Sequence, residues 1–197
     1  MNTIPAQWII LAVVIAIAAV ALAAWVSSQR KRRSQRLQQR FGPEYDRAVT
    51  EFGSRAKAEA ALKAREERVE GLDIVALAPA DAARFTQAWA ALQGRFVDNP
   101  KGAVVQADQL VRELMLKRGY PMGDFERRAA DISVDHPALV ETYRAAQTIA
   151  LRNERGEADT EALRKAVVHY RALFDELLEV RKADEELVSG KQIPAHS

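Results

Sequence analysis

Histidines and clustered carboxylates are the side chains of this 197-residue chain with the most obvious potential for catalysis. His169 has Lys165 and Leu173 four residues away, so it lacks a second metal ligand at helical spacing, and the chain contains no HExxH motif. We predict that His169 lies at a helix boundary or surface. His136 stands before Pro137, a pattern typical of a helix start, and we predict a capping or local hydrogen-bonding role for it.

Carboxylates can do acid and base chemistry only where burial separates their pKa values. The acidic clusters of this chain fall in charge-rich helical stretches, so we predict that they are solvated. The phosphate-binding glycine loop, the GxSxG nucleophile motif and cysteine are all missing from the sequence. We therefore predict no catalytic, cofactor-binding or metal-binding residue. The acidic clusters are Glu66, Glu67 and Glu70; Asp131 and Asp135; and Asp175, Glu176 and Glu179.

The elements that carry these side chains are predicted to be helices. Phe85, Trp89, Leu92 and Phe96 recur at intervals of four, three and four, which places them on one helical face. Beyond the N-terminal region no sustained alternation indicates a strand. The sequence predicts an all-α fold with an N-terminal transmembrane helix, a helical stalk and a small antiparallel bundle of four to five helices. Residues typical of helix starts and ends separate the later helices: Asn99, Gly119, Gly156 and Asp159.

Five segments are expected from changes in composition. The stretch after Phe41 has high helix propensity but few large apolar residues, which is typical of a stalk. The C-terminal stretch is polar, which is typical of a frayed end. The predicted segments are an N-terminal flank and transmembrane anchor (1–29), a basic juxtamembrane segment (30–40), a helical linker or stalk (41–78), a helical bundle domain (79–181) and a flexible tail (182–197).

The predicted anchor is the apolar run WIILAVVIAIAAVALAAWV, from Trp8 to Val26. Its nineteen residues would span roughly 28 Å as a helix, close to the hydrocarbon thickness of a bilayer. Trp8 and Trp25 stand at its two ends, where tryptophan is typical of a membrane interface. A cleaved signal peptide is the alternative, but such a peptide has its positive charge before a shorter apolar run. The sequence thus favours a single-pass anchor.

Six cations follow the apolar run with no acid among them: Arg30, Lys31, Arg32, Arg33, Arg36 and Arg40. Because cations resist translocation, this basic segment predicts an inner (cytoplasmic) membrane protein, with its N-terminus outside and its C-terminal domain in the cytoplasm. Anionic lipid headgroups are the expected partner. Nucleic acid is not, because the segment lacks interleaved aromatic residues and the rest of the chain has 23 basic against 27 acidic residues.

Four stretches together resemble an uncharacterised family of bacterial single-pass proteins, known as hypothetical membrane or secreted proteins. They are FGPEYDRAV at Phe41, RFVDNP at Arg95, YPMGDFERRAADISVDHP at Tyr120 and HYRALFDELL at His169. The resemblance covers about residues 41–178. It implies a membrane-anchored helical domain and carries no activity, cofactor or catalytic residue.

The segment Asp124–Pro137 crowds charged residues into a predicted helix-to-helix junction. One interpretation is that these groups cap and bridge one another, with Arg127 and Asp131 four residues apart. The other is that Arg128 and His136 contribute to a partner-binding surface, which binds more strongly at mildly acidic pH when His136 gains a proton.

These observations favour a membrane-tethered helical interaction module, a scaffold or adaptor without catalytic activity that recruits an unidentified protein partner. The alternatives are an exported or periplasmic membrane-anchored helical domain and, third, an unusual enzyme. A deep polar pocket that contains His136 or His169 with acidic partners would indicate the enzyme.

Overall fold

The computed structural model describes the backbone of residues 6–189 and the side chains of residues 15–178. This described part consists of α-helices and contains no strand, which confirms the predicted all-α class. The chain divides into two compact units, Met1–Glu59 and Ala60–Ser197. The helices are α1 (Ala6–Phe41), α2 (Pro43–Phe52), α3 (Arg55–Glu70), α4 (Pro79–Arg95), α5 (Pro100–Arg118), α6 (Phe125–Asp135), α7 (Pro137–Glu154) and α8 (Thr160–Ser189).

Local sequence signals account for many of the helix ends. Proline occupies the first position of α2, α4, α5 and α7, where its missing N–H costs no helical hydrogen bond. Asn99 accepts a hydrogen bond from the Gly102 N–H at 2.9 Å, and Asp159 accepts one from the Ala162 N–H at 2.7 Å. Both residues were predicted as helix starts on this ground.

The first unit holds α1, α2 and the first turn of α3. Its buried apolar side chains are Leu37, Phe41, Tyr45, Ala48 and Ala58. Glu59 joins the three helices, because one carboxylate oxygen accepts hydrogen bonds from the Ser34 hydroxyl of α1 and, at 2.9 Å, from the Tyr45 hydroxyl of α2.

The second unit holds the rest of α3 and α4 to α8, with α8 packed against α5 and α7. Its core contains the predicted stripe, with Phe85, Trp89 and Leu92 buried and Phe96 packed against them. The Trp89 ring lies 4.5 Å from that of Phe174, measured between centroids. Aromatic packing of this kind stabilises a core beyond the area it buries.

An extended segment after α3 closes one end of this core. The Val75 N–H donates to the Arg118 carbonyl at 2.9 Å, and Leu77 is buried. Gly119 adopts a φ of 100°, and a Cβ at this position would collide with the Asp73 carbonyl oxygen. Glycine is required here by both the backbone conformation and the close approach.

Among the described residues, no helix combines the length and the hydropathy that crossing a bilayer requires. The side chain of Trp8 and the first part of the predicted anchor lie outside the described side chains. The transmembrane assignment of Trp8–Val26 therefore stays a prediction. At the other end, α8 continues to Ser189, into the predicted tail, and residues 190–197 lie outside the description.

Candidate functional site

Helix α6 is the most polar buried element of the described chain. All residues from Arg128 to Val134 are buried, including Arg128, Asp131 and Ser133. The sequence suggested a polar junction, and the structure places these polar side chains in the interior. A buried polar group needs an internal partner, so the contacts of α6 define what this segment does.

Asp131 is fully buried and pairs with a cation from another helix. Its Oδ1 accepts hydrogen bonds from the Arg68 guanidinium of α3, at 2.9 Å from Nε and at a shorter distance from Nη2. Its Oδ2 is buried and has no hydrogen-bond partner among the described residues. The prediction that Asp131 is solvated was therefore wrong. It also pairs with Arg68 and not with Arg127, which is exposed.

Arg128 makes its contacts inside the second unit. Its Nη1 donates to the Gly123 carbonyl at 2.7 Å and its Nε donates to the Tyr143 hydroxyl at 3.3 Å. The guanidinium also lies 5.9 Å from the centroid of the Phe125 ring. These contacts favour the capping and bridging interpretation over a partner-binding role for Arg128.

His136 stands at the junction between α6 and α7 and is also largely buried. Its backbone N–H donates to the Ile132 carbonyl at 2.8 Å, which closes α6 before Pro137 begins α7. Its Nδ1 lies 3.3 Å from Glu176 Oε1 on α8. Asp135 beside it is exposed and accepts a hydrogen bond from the Tyr120 hydroxyl at 2.8 Å. The side chain of His136 thus bridges α6 to α8.

The other candidate side chains lie apart from this cluster. His169 is half-buried on α8 and lies outside the α6 contacts described above. Glu67 pairs with Lys63, and Asp175 pairs with Arg171, both on partly solvated helix surfaces. Among the residues with described side chains, no three His, Cys, Asp or Glu residues are grouped as metal ligands would be.

The sequence analysis missed a second polar cluster between α5, α7 and α8. Arg112 Nε lies 3.1 Å from Asp108 Oδ2 on α5, and the Tyr170 hydroxyl donates to Gln147 Oε1 at 3.3 Å. Burial raises the pKa of Tyr170, and the Asp108 carboxylate raises it further. The four-residue spacing of Asp108 and Arg112 was visible in the sequence, but the approach of α7 and α8 to them was not.

Burial also raises the pKa of Tyr45, Tyr120 and Tyr143, so all four tyrosines of the chain favour the neutral form in the folded state. For Tyr120, the hydrogen bond to Asp135 is the second cause, because a carboxylate acceptor disfavours phenolate formation. These neutral hydroxyls donate to Asp135, Gln147 and Glu59 from Tyr120, Tyr170 and Tyr45, and the Tyr143 hydroxyl accepts from Arg128.

A groove of about 480 Å³ lies at the corner between α4 and α5, away from both clusters. Neither His136 nor His169 lines it. Two of its polar side chains bond within their own helix or its cap, since Arg95 donates to the Ala91 carbonyl and Asn99 caps α5. The lining residues are Arg95, Asp98, Asn99, Gly102, Ala103, Val105, Gln106 and Gln109.

In the first unit, the predicted basic segment is the continuation of the apolar part of α1 in one unbroken helix. Trp25 is exposed, as are Arg30, Lys31, Arg32, Arg33 and Arg36, whereas Arg40 is half-buried. The same helix therefore presents apolar side chains first and cations next.

Comparison with protein-family models, with curated proteins and with solved structures finds no match for this chain. The resemblance to a bacterial membrane family stays a prediction.

Replacing Arg68 with Ala is expected to lower the free energy of unfolding by about 3–5 kcal/mol, because the buried Asp131 carboxylate loses its cation. Urea denaturation of the full chain measures this change. Lys63→Ala is the matched control on the same helix, since its exposed pair with Glu67 should contribute only about 0.3–0.5 kcal/mol. Equal effects of the two variants would contradict the assignment.

Replacing Arg128 with Ala is expected to cost about 1–3 kcal/mol, because the Gly123 carbonyl and the Tyr143 hydroxyl lose a partner. The exposed neighbour Arg127→Ala should stay within about 0.5 kcal/mol of the unchanged chain. Thermal unfolding of both variants tests this. An Arg128 variant that melts normally but loses a bound partner protein would restore the partner-binding hypothesis.

The four tyrosines should make the fold sensitive to alkaline pH. Their pKa values are higher in the folded chain than the ordinary value of 10.0. Their contribution to stability is therefore complete below the unfolded pKa and is lost as pH rises above it. An ultraviolet titration of phenolate should show ionisation of the native chain at higher pH than of the denatured chain. Coincident titrations would contradict the burial of these hydroxyls.

Proposed function

We propose that this chain is a membrane-tethered helical interaction module, a scaffold or adaptor with a single-pass anchor at Trp8–Val26. Its N-terminus lies outside and its helical domain lies in the cytoplasm, where the domain recruits a protein partner. The observation that carries the proposal is the exposure of every side chain of α1 from Ile15 to Trp25, around the whole circumference of this part of the helix.

The large apolar side chains of α1 from Ile15 to Trp25 are between 59% and 70% exposed. At about 100° per residue, their positions distribute them around the helix and not along one stripe. A helix packed on protein would bury one face. In water, each large apolar side chain would stay exposed, and the chain would forgo the about 1.5–3 kcal/mol that its burial contributes. A lipid environment satisfies all faces at once. These side chains are Ile15, Ile17, Val20, Leu22 and Trp25.

The position of the cations supports the orientation. Because α1 is continuous, Arg30 to Arg33 would lie roughly 6 to 10 Å beyond Val26 along the helix axis, at about 1.5 Å per residue. That distance is within the Debye length of about 8–10 Å at physiological salt, so these four cations act on the membrane surface. Arg36 and Arg40 would lie roughly 15 and 21 Å away by the same rise, beyond strong lipid attraction.

The inward-facing polar side chains of α6 support the role of the helical domain as a module. Arg68, Tyr143 and Glu176 each hold α6 from a different helix. Such contacts fix the relative positions of the helices, and a rigid scaffold is what a specific binding surface requires. The surface that binds the partner is therefore expected on the outer faces of these helices.

The orientation is tested by fusions to the C-terminus of the full chain. A phosphatase fused there should be inactive and a fluorescent protein bright, because six cations resist translocation. Replacing Arg30, Lys31, Arg32 and Arg33 with Gln should raise the fraction of chains in the inverted orientation.

The matched control removes the same charge from the second unit, by replacing Arg84, Arg155, Arg164 and Lys165 with Gln. All four are exposed, and their loss should leave the orientation unchanged. An active phosphatase on the original chain would overturn the cytoplasmic orientation, and inversion by the control set would show that total charge, not position, decides it.

A further inference from the structure

Helix α3 lies outside the apolar core of the second unit. Among the described residues, α3 belongs to none of the closely packed helix pairs, and none of its residues is part of the core around Trp89. Its second half nevertheless buries Leu62 and Val69, which are 0% and 4% exposed. A few side chains therefore hold α3 on this unit, without close contact of its backbone.

Helix α6 has an outer face that also lies outside the core. This outer face consists of Ala130, Asp131 and Val134, whose spacing places them on one side of the helix. All three are buried. Ala129 and Ile132, on the other side of α6, belong to the core, but the apolar residues of the outer face do not. The outer face of α6 is therefore covered by something other than the core.

The Arg68–Asp131 ion pair joins α3 to the outer face of α6. The side chain of Arg68 is 28% exposed and that of Asp131 is 1% exposed, so the guanidinium lies on the solvent side of the carboxylate. Nε and Nη2 of Arg68 both donate to Oδ1, and the buried Oδ2 has no hydrogen-bond partner among the described residues. A guanidinium that binds both oxygens makes a stronger pair. The contact that holds α3 thus uses only part of the hydrogen-bonding capacity of Asp131.

The chain on either side of α3 allows its second half to leave α6. Residues 71–78 connect α3 to α4 and could span up to about 26 Å. In the described structure, the Val75 N–H makes the backbone hydrogen bond of this connection to another helix, α5. The first turn of α3 is held separately, because Glu59 bonds to Ser34 and Tyr45 of the first unit. The second half of α3 can therefore open from α6 while both ends stay attached.

We propose that the second half of α3, from Ala60 to Glu70, is a releasable strap over a protein-docking surface, the outer face of α6. The occupant that replaces the strap is a helix of the partner protein with an arginine beside an apolar residue, as α3 has Arg68 beside Val69. Its guanidinium binds both oxygens of Asp131, and this charge complementarity selects the partner. The inference rests on the proposed function, since it names the surface that recruits the partner.

Hydrogen exchange of the full chain in detergent tests the strap. So short a stretch is marginal as an isolated helix, so its release unfolds it and exposes its amides. Amides from Leu62 to Val69 should exchange at least about tenfold faster, relative to their intrinsic rates, than those from Leu163 to Leu177 of α8, which open with the core. Equal protection of the two stretches would overturn the strap.

The Arg68→Ala variant tests what holds the strap closed. It should raise exchange from Leu62 to Val69 at least about tenfold further while α8 remains protected, because the buried Asp131 loses its cation. Lys63→Ala is the matched control on the same helix, since its exposed pair with Glu67 does not involve α6. An increase of the same size in the control would overturn the role of the ion pair.

A synthetic peptide of residues 55–70 stands in for the partner helix. Labelled with a fluorophore and followed by anisotropy, it should bind the Arg68→Ala chain at least about tenfold more tightly than the same peptide with Arg68→Gln. Adding Asp131→Asn to the chain removes the acid without leaving a buried charge, and it should abolish this difference. Absence of binding, or equal binding of the two peptides, would overturn the docking surface.

These measurements use protein in detergent and do not depend on the orientation of the anchor. Their failure would overturn the strap or the docking surface and leave the anchor in place. An active phosphatase in the fusion test would instead overturn the cytoplasmic orientation and leave the strap in place.

Discussion

A carboxylate without solvent contact must receive a cation or lose its charge, and Asp131 imposes this requirement on the second unit. The cation comes from Arg68, 63 residues earlier in the chain, which ties the end of α3 to α6. Arg128 of α6 and His136, which directly follows α6, also have partners on neighbouring elements. Arg128 holds the segment before α6 and α7, and His136 lies against α8. One short buried helix therefore connects the helices around it through polar contacts, which demand more specific geometry than apolar packing does.

The two units meet the need to cover apolar surface in different ways. In the second unit, Trp89 and Phe174 are buried within the core, and the helices cover each other. In the first unit, the described part of α1 buries Leu37 and Phe41 near its C-terminal end and leaves the side chains from Ile15 to Trp25 exposed. The proposed lipid contact follows from this contrast, since an apolar helix exposed on every face needs an apolar surrounding.

Charge is also divided between interior and surface. Inside, the Arg68–Asp131 ion pair ties α3 to α6, and the Tyr170 hydroxyl ties α8 to α7 through Gln147. Outside, Arg30, Lys31, Arg32, Arg33 and Arg36 of α1 are exposed. The proposed lipid contact therefore rests on exposed groups, and the polar groups inside the fold contribute to its stability.

Local information in the sequence was enough to predict the helices and many of their ends. These signals act within a few turns of one helix, so they can be recognised without knowledge of the fold. They are proline at helix starts, the Asn99 and Asp159 caps, and the apolar stripe of Phe85 to Phe96. The partners of α6 could not be predicted from the sequence. Arg68 lies 63 residues before Asp131, and no residue near Asp131 indicates this pairing. Polar residues normally mark a solvated face, and only tertiary packing decides that Arg128 to Val134 of α6 are buried.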